Sequence, residues 1–210
     1  MEGVTRRHLL ALAIASTLCT ALAIAFVDLP VAGWINAHEQ SALWPRAVAI
    51  LEVAAGITPS TWTVPIVLTG GVLVTLAVAR WRRHARSWMY VAIVYLLARN
   101  LMGWGKTLTG RYRPTQWWKL GGGTFGHLGD GVSCPSGHVV VIAGLVLPLA
   151  VAWPRTRPLL VVIPFIMAAR VAVLAHFVSD VFGGLALTAL VAWACAPITE
   201  AAAIGEPAGR

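Results

Sequence analysis

Leu9 to Val27 reads LLALAIASTLCTALAIAFV, nineteen residues without a charged side chain. A helix needs about 20 apolar residues to cross the hydrocarbon of a bilayer, so this run predicts a spanning helix. Thr5-Arg6-Arg7-His8 precedes it, a basic flank of the kind kept on the cytoplasmic side. The same residues, with Ala21-Leu22-Ala23 downstream, also fit a twin-arginine export signal and its cleavage site. The run exceeds the usual signal core of roughly 7–15 apolar residues. Five more apolar segments follow it, so it is read as the first span.

Those segments are Trp62–Ala79, Trp88–Gly105, His138–Trp153, Pro158–Ala175 and Val181–Ala196. Several reach spanning length only with flanking residues. Arg99 lies inside the third and Arg170 inside the fifth, and ionisable groups at such depths usually face the bundle interior and mark function. Ala42–Ile57 is also apolar but is interrupted by Pro45, Arg46 and Glu52. It reads as a helix lying along the interface. Trp34, Trp44, Trp62, Trp81, Trp88, Trp104, Trp117, Trp118 and Trp153 gather at segment ends and loops, where an aromatic belt belongs. The fold expected is an all-α membrane protein with six transmembrane helices and an interfacial helix between the first and second. One integral-membrane domain covers residues 1–198. Residues 199–210, small and polar, are expected to form a disordered cytoplasmic tail.

The chain is 58% hydrophobic and 11% charged, where soluble domains carry roughly 25% charged residues. Its formal charge is +8. A nucleic-acid partner would require a basic face on a polar domain. Here the cations sit at the ends of apolar segments, so membrane lipids are the expected partners and nucleic acid is not. The three cysteines make no disulfide framework. Cys19 and Cys195 read as small core residues, and Cys134 as a free thiol.

Orientation follows from the basic residues. With the N-terminus inside, six helices place Arg6, Arg7, Arg80, Arg82, Arg83, Arg86, Arg155, Arg157 and Arg210 inside. Arg46, Arg111 and Lys119 fall outside, with Lys106 and Arg113 near the outer membrane edge. The cluster between Arg80 and Arg86 is the strongest determinant.

Three short motifs then share the outer face. Lys106 and Arg113 are seven apart, two turns if the helix continues, before Pro114 ends it. They offer a point charge and a planar fork of donors, both suited to phosphate. Pro135-Ser136-Gly137-His138 opens the fourth apolar segment. Ser136 can cap that helix, whose start is an anion site. Gly137 lets the backbone approach a ligand, and His138 can give a proton to a leaving oxygen. Arg170, His176 and Asp180 form the third motif. A carboxylate near an imidazole fixes its tautomer and leaves the other nitrogen free to attack. Each motif alone has a plain structural explanation: membrane-edge snorkelling, an ordinary helix cap with an interfacial histidine, or a salt link to Asp180. Their common placement outside favours one shared phosphate site. His127 and Asp130, in the loop with Trp117, Trp118 and Gly121-Gly122-Gly123, could read a head group or rest on the interface as a lid.

Lys-x6-Arg-Pro, Pro-Ser-Gly-His and Arg-x5-His-x3-Asp, in this order from Lys106 to Asp180, resemble the signature motifs of the type-2 phosphatidic acid phosphatase superfamily. The six-helix plan resembles that of its membrane lipid phosphatases. One position departs: the third motif usually opens Ser-Arg, and here it is Ala169-Arg170. The resemblance implies that His176 attacks phosphorus, that Asp180 orients it, and that His138 protonates the leaving group. It implies that Lys106, Arg113, Ser136, Gly137 and Arg170 bind the phosphate oxygens.

No cofactor and no metal is expected, since the sequence has neither a dense carboxylate cluster nor a thiolate–histidine zinc spacing. The expected substrate is a lipid phosphate or diphosphate, such as undecaprenyl diphosphate, phosphatidylglycerol phosphate, phosphatidate or a lipid A phosphate. The expected place is a bacterial inner membrane, multi-pass, with the site facing the periplasm and no obligate protein partner. Two alternatives remain: a lipid phosphotransferase using the same phosphohistidine, and a non-enzymatic lipid-binding or transport protein. The superfamily's soluble vanadate haloperoxidases fit poorly with six spans.

Overall fold

The computed structural model describes residues 6–38, 43–54, 62–121 and 129–200. Among them every regular element is helical. The first is α1 (Arg6–Leu22), continued through a π-helical turn (Ala23–Val27) into α2 (Asp28–Ala37). Then come α3 (Leu43–Ala54), α4 (Thr63–Ala77), α5 (Ala85–Thr109), the short α6 (Pro114–Lys119), α7 (Gly137–Ala152), α8 (Val162–Ala172), α9 (Val178–Cys195) and α10 (Pro197–Glu200). Two 3-10 stretches, Ala79–His84 and Pro154–Val161, lead into α5 and α8.

Each of the six apolar segments carries a helix, and α3 lies where the interfacial helix is expected. Among the described residues, two helices are long and apolar enough to cross a membrane by themselves, Arg6–Ala37 and Val178–Thr199. The helices Thr63–Ala77 and Gly137–Ala152 are apolar but shorter. The fifth segment differs from its expected form. Its α-helix starts at Val162 and ends at Ala172, and α9 already begins at Val178. His176 therefore stands between two helices. In the predicted tail, Thr199 and Glu200 belong to α10; residues 201–210 lie outside the described residues.

The centre of the bundle is α7. Val139, Val140, Val141, Ile142, Ala143 and Gly144 are consecutive and all buried, as in a helix surrounded on every side. It packs against α5, α8 and α9, while α1 runs along α9 and α4 along α5. Ala13, Val139, Ile142, Ile166, Val181 and Leu185 form one core. Leu9, Tyr90, Val94, Val140 and Ala192 form a second, in which the Tyr90 hydroxyl donates to Ala192 O at 3.0 Å. The outer faces are apolar too. Ile14, Leu18, Leu22 and Phe26 on the first helix are exposed, as are Ile66, Val67 and Leu73 on α4.

The π turn has a readable cause and effect. The first helix buries Leu9, Ala13, Ser16 and Ala23 at steps that keep one face inward. The next α-helical step would bury Val27, yet Val27 is exposed and Asp28 is buried at 1%. The Asp28 N–H donates to Ala23 O, a bond to the fifth residue back that accommodates one extra residue. That residue carries the inward face from position 27 to position 28.

Candidate active site

The site gathers at the end of α5, the start of α7 and the turn between α8 and α9. Helix α5 does not run on to Pro114, as the seven-residue spacing suggested. Gly110 adopts a left-handed conformation (φ +50°) and ends the helix at Thr109. A Cβ there would lie 2.1 Å from Gly129 O, so glycine is required for space as well as for backbone angle. Pro114 then starts α6 instead of ending α5, a position where its missing N–H costs nothing. Gln116 Oε1 accepts the Arg113 N–H at 3.1 Å.

Residues 129–133 run beside this turn. The N–H groups of Gly129 and Gly131 donate to Gly110 O, and that of Ser133 donates to Arg111 O. The Thr109 hydroxyl reaches Cys134 O at 2.7 Å. These bonds bring motif one to motif two. Lys106 donates to Val132 O at 2.9 Å, and a Cβ on Gly137 would lie 3.7 Å from its Nζ. Lys106 lies within electrostatic reach of Arg113, Asp180 and Arg170. The Cys134–Pro135 peptide is cis.

Ser136 occupies the N-cap position of α7, but its hydroxyl makes no capping bond. It is fully buried, and its Oγ has no hydrogen-bond partner. The expectation of a side-chain cap is thus corrected. Gly137 and His138 are the first two residues of α7, both half-buried. The Ser136 N–H donates to Asp180 O at 3.0 Å, which ties motif two to motif three.

Helix α8 carries Arg170 in its last turn, 9% exposed. Leu174 then takes a left-handed φ of 51°, unusual for a bulky side chain and costing on the order of 1–3 kcal/mol. The Leu174 N–H bonds Val171 O and that of Ala175 bonds Arg170 O. This tight reversal holds His176 within the field of Arg170.

His176 is 2% exposed. Its Nδ1 lies 3.5 Å from Asp180 Oδ2 and 3.4 Å from Ser133 Oγ. With Nδ1 facing that pair, Nε2 is the nitrogen left for chemistry. Contacts of this length commonly tighten when substrate binds. Burial pushes His176 below its ordinary pKa; Asp180 opposes the shift, and Arg170 and Lys106 add to it. Asp180 also receives the Phe177 N–H at 3.0 Å and so caps its own helix, where the N-terminal dipole favours a carboxylate.

Four further groups, none of them named by the three motifs, build a network around Asp180. The Ser133 hydroxyl donates to Asp180 Oδ2. Arg111, read as a loop cation outside the membrane, is 7% exposed. Its Nη1 donates to Asp180 Oδ1 at 2.8 Å and its Nη2 to Asp28 Oδ2 at 2.7 Å. Ser179 links the same groups, accepting from Arg111 Nη1 at 2.6 Å and donating its N–H to Asp28 Oδ1 at 2.9 Å. Asp28 had a signal: it is the carboxylate that interrupts a long apolar stretch.

Among the described residues, no three His, Cys, Asp or Glu side chains converge as a metal-holding group. Cys134 is a free thiol, as expected, and burial pushes it up to about 12. Trp117 and Trp118 pack against Ala32, Leu174 and Phe177, so the start of the loop is fastened to motif three. Asp130 is exposed, and His127 lies outside the described residues.

The three motifs thus meet in space, and a family model matches the segment that holds them. It is that of the PAP2 superfamily and covers residues 87–203, more than half of the chain. The chain belongs to the PAP2 superfamily. No curated protein and no solved structure matches it. Membership points to phosphatase activity, and the cations gathered around His176 suit a phosphate.

Proposed function

We propose that this PAP2 protein is a multi-pass membrane phosphatase that removes a terminal phosphate from a lipid phosphate or diphosphate. The observation that carries this is the setting of His176: Nδ1 towards Asp180 and Ser133, with Arg170 and Lys106 within electrostatic reach. Nε2 attacks phosphorus and the bond from phosphorus to the lipid oxygen breaks. His138 gives that oxygen its proton. Water then attacks the phosphohistidine, His138 takes its proton, and inorganic phosphate leaves with Nε2 restored. Lys106, Arg113 and Arg170, with the N–H groups at the start of α7, hold the phosphate oxygens and the charge that develops on them.

A lipid substrate is supported by a groove between α2, α3, α8 and α9. It is lined by Trp34, Met167, Ala172, Val178 and Phe182, apolar groups that include close neighbours of His176 in the chain. The six apolar segments support six spans, the arginine asymmetry supports a periplasmic site, and the exposed apolar faces of α1 and α4 suit contact with lipid.

The test is phosphate release from purified lipid phosphates and diphosphates in liposomes, with His176→Ala as control. Free phosphate from the native protein and none from the variant is the expected result. Label passing to a second lipid would establish a phosphotransferase. No turnover on any lipid, or activity retained by the variant, would overturn the proposal.

A further inference from the structure

Arg111 sits between two carboxylates, and the two come from distant parts of the chain. Asp28 opens α2 and Asp180 lies in the first turn of α9. The guanidinium spans them at 2.7 and 2.8 Å, and both carboxylate side chains are fully buried. The Phe177 ring covers it, its centroid 4.8 Å from Arg111 Cζ. Asp28 is itself held by both the N–H and the hydroxyl of Ser179. A planar fork can bridge two acceptors in this way where a lysine cannot.

One carboxylate would already neutralise the guanidinium, so the second adds a negative charge to the buried cluster. A lone arginine against Asp180 would also draw the carboxylate's charge away from His176. The second carboxylate offsets this: Asp28 takes up part of the guanidinium charge, while Arg111 fixes the Oδ1 side of Asp180. Oδ2 is left to face His176 Nδ1.

We propose that Arg111 is a positioning residue for the reaction. Balanced by Asp28, it holds Asp180 in the orientation and charge state that His176 needs, so the first helix belongs to the catalytic apparatus. This rests on the phosphatase reading above. Arg111 touches neither substrate nor the reacting atoms in the scheme; it acts through Asp180.

The test separates position from stability. Arg111→Met leaves two buried carboxylates without their cation and should cost both folding and turnover. Adding Asp28→Asn removes one of them, so Arg111→Met/Asp28→Asn should recover much of the thermal stability. Its kcat should stay roughly 10–100-fold below native, as expected for a group misplaced by a fraction of an ångström to an ångström, with KM within about twofold. Asp28→Asn alone keeps Arg111 and the shape of the site; its kcat should fall while KM holds. Arg111→Lys keeps the charge but not the bridge and should not rescue kcat.

A stable double variant with native kcat would overturn the proposal and leave the phosphatase intact. If the double variant fails to fold, Asp28→Asn decides, and native kcat there overturns it equally. A native protein that turns over no lipid phosphate at all would remove the phosphatase reading, and this proposal with it.

Discussion

Gly184 and Ser136 touch backbone to backbone: a Cβ on Gly184 would stand 3.0 Å from Ser136 O and 3.3 Å from the Val139 Cβ. Helices α9 and α7 approach this closely because the residue at 184 has no side chain. The Ser136 N–H to Asp180 O bond depends on that approach. Gly184→Val should therefore part motif two from motif three, destabilising the protein by about 1–3 kcal/mol, as overpacked cores do, and removing most turnover. Gly184→Ala should be intermediate. Thermal unfolding in detergent alongside phosphate release checks both, and a fully active valine variant would contradict the contact.

Ser133 should matter to rate although it touches no substrate in the proposed scheme. It donates to Asp180 Oδ2 alongside the Phe177 N–H, and His176 Nδ1 faces the same oxygen. Ser133→Ala should cost about 1 kcal/mol of stability and lower kcat by roughly tenfold, with KM little changed. Steady-state kinetics against unfolding midpoints would separate the two effects.

The acid limb of the pH profile carries a signature of burial. His176 lies below its ordinary value because burial disfavours the imidazolium. A lowered value means that the neutral imidazole, the form that attacks, persists to lower pH. The limb of kcat/KM that reports His176 should thus lie below the ordinary histidine value of about 6.5. Single-turnover formation of phosphohistidine as a function of pH measures it; a limb at or above the ordinary value would be inconsistent with a buried neutral nucleophile.

Cys134 should resist alkylation. Burial pushes its thiol up to about 12, so little thiolate exists at pH 8. Mass-spectrometric mapping after iodoacetamide treatment should show Cys134 unmodified in the native protein and modified after denaturation. Rapid labelling of the native protein would refute the burial.

Deletions along the first helix should differ sharply in effect. Removing Ala25 takes out the extra residue of the π turn and returns Asp28 to the α-helical step after Ala23, still facing inward. Removing Ala15 instead twists Leu9 and Ala13 by about 100° relative to Ser16 and Ala23. The first variant should stay folded and active, and the second should lose stability; circular dichroism melts with activity would show it.

The motifs were legible because their chemistry is local: residue types at fixed spacings state what they can bind. The segments were legible from hydropathy, and the left-handed Gly110 could have been read as a helix end from Thr109-Gly110-Arg111. It was hidden by a seven-residue spacing that also fits an unbroken helix. Asp28 and Arg111 were not legible as a pair, since their partnership depends on how α2 meets the turn after α5. The consecutive burial along α7 erases any amphipathic pattern, so sequence alone could not identify the central helix.

The two carboxylates around Arg111 bear on where this protein can be cut. The matched segment begins at residue 87 and contains Arg111 and Asp180 but not Asp28. A module transplanted at that boundary would import a guanidinium with half of its counter-charge left behind. The border of the family match and the border of the electrostatic unit do not coincide, and chimeras should be joined upstream of the first helix.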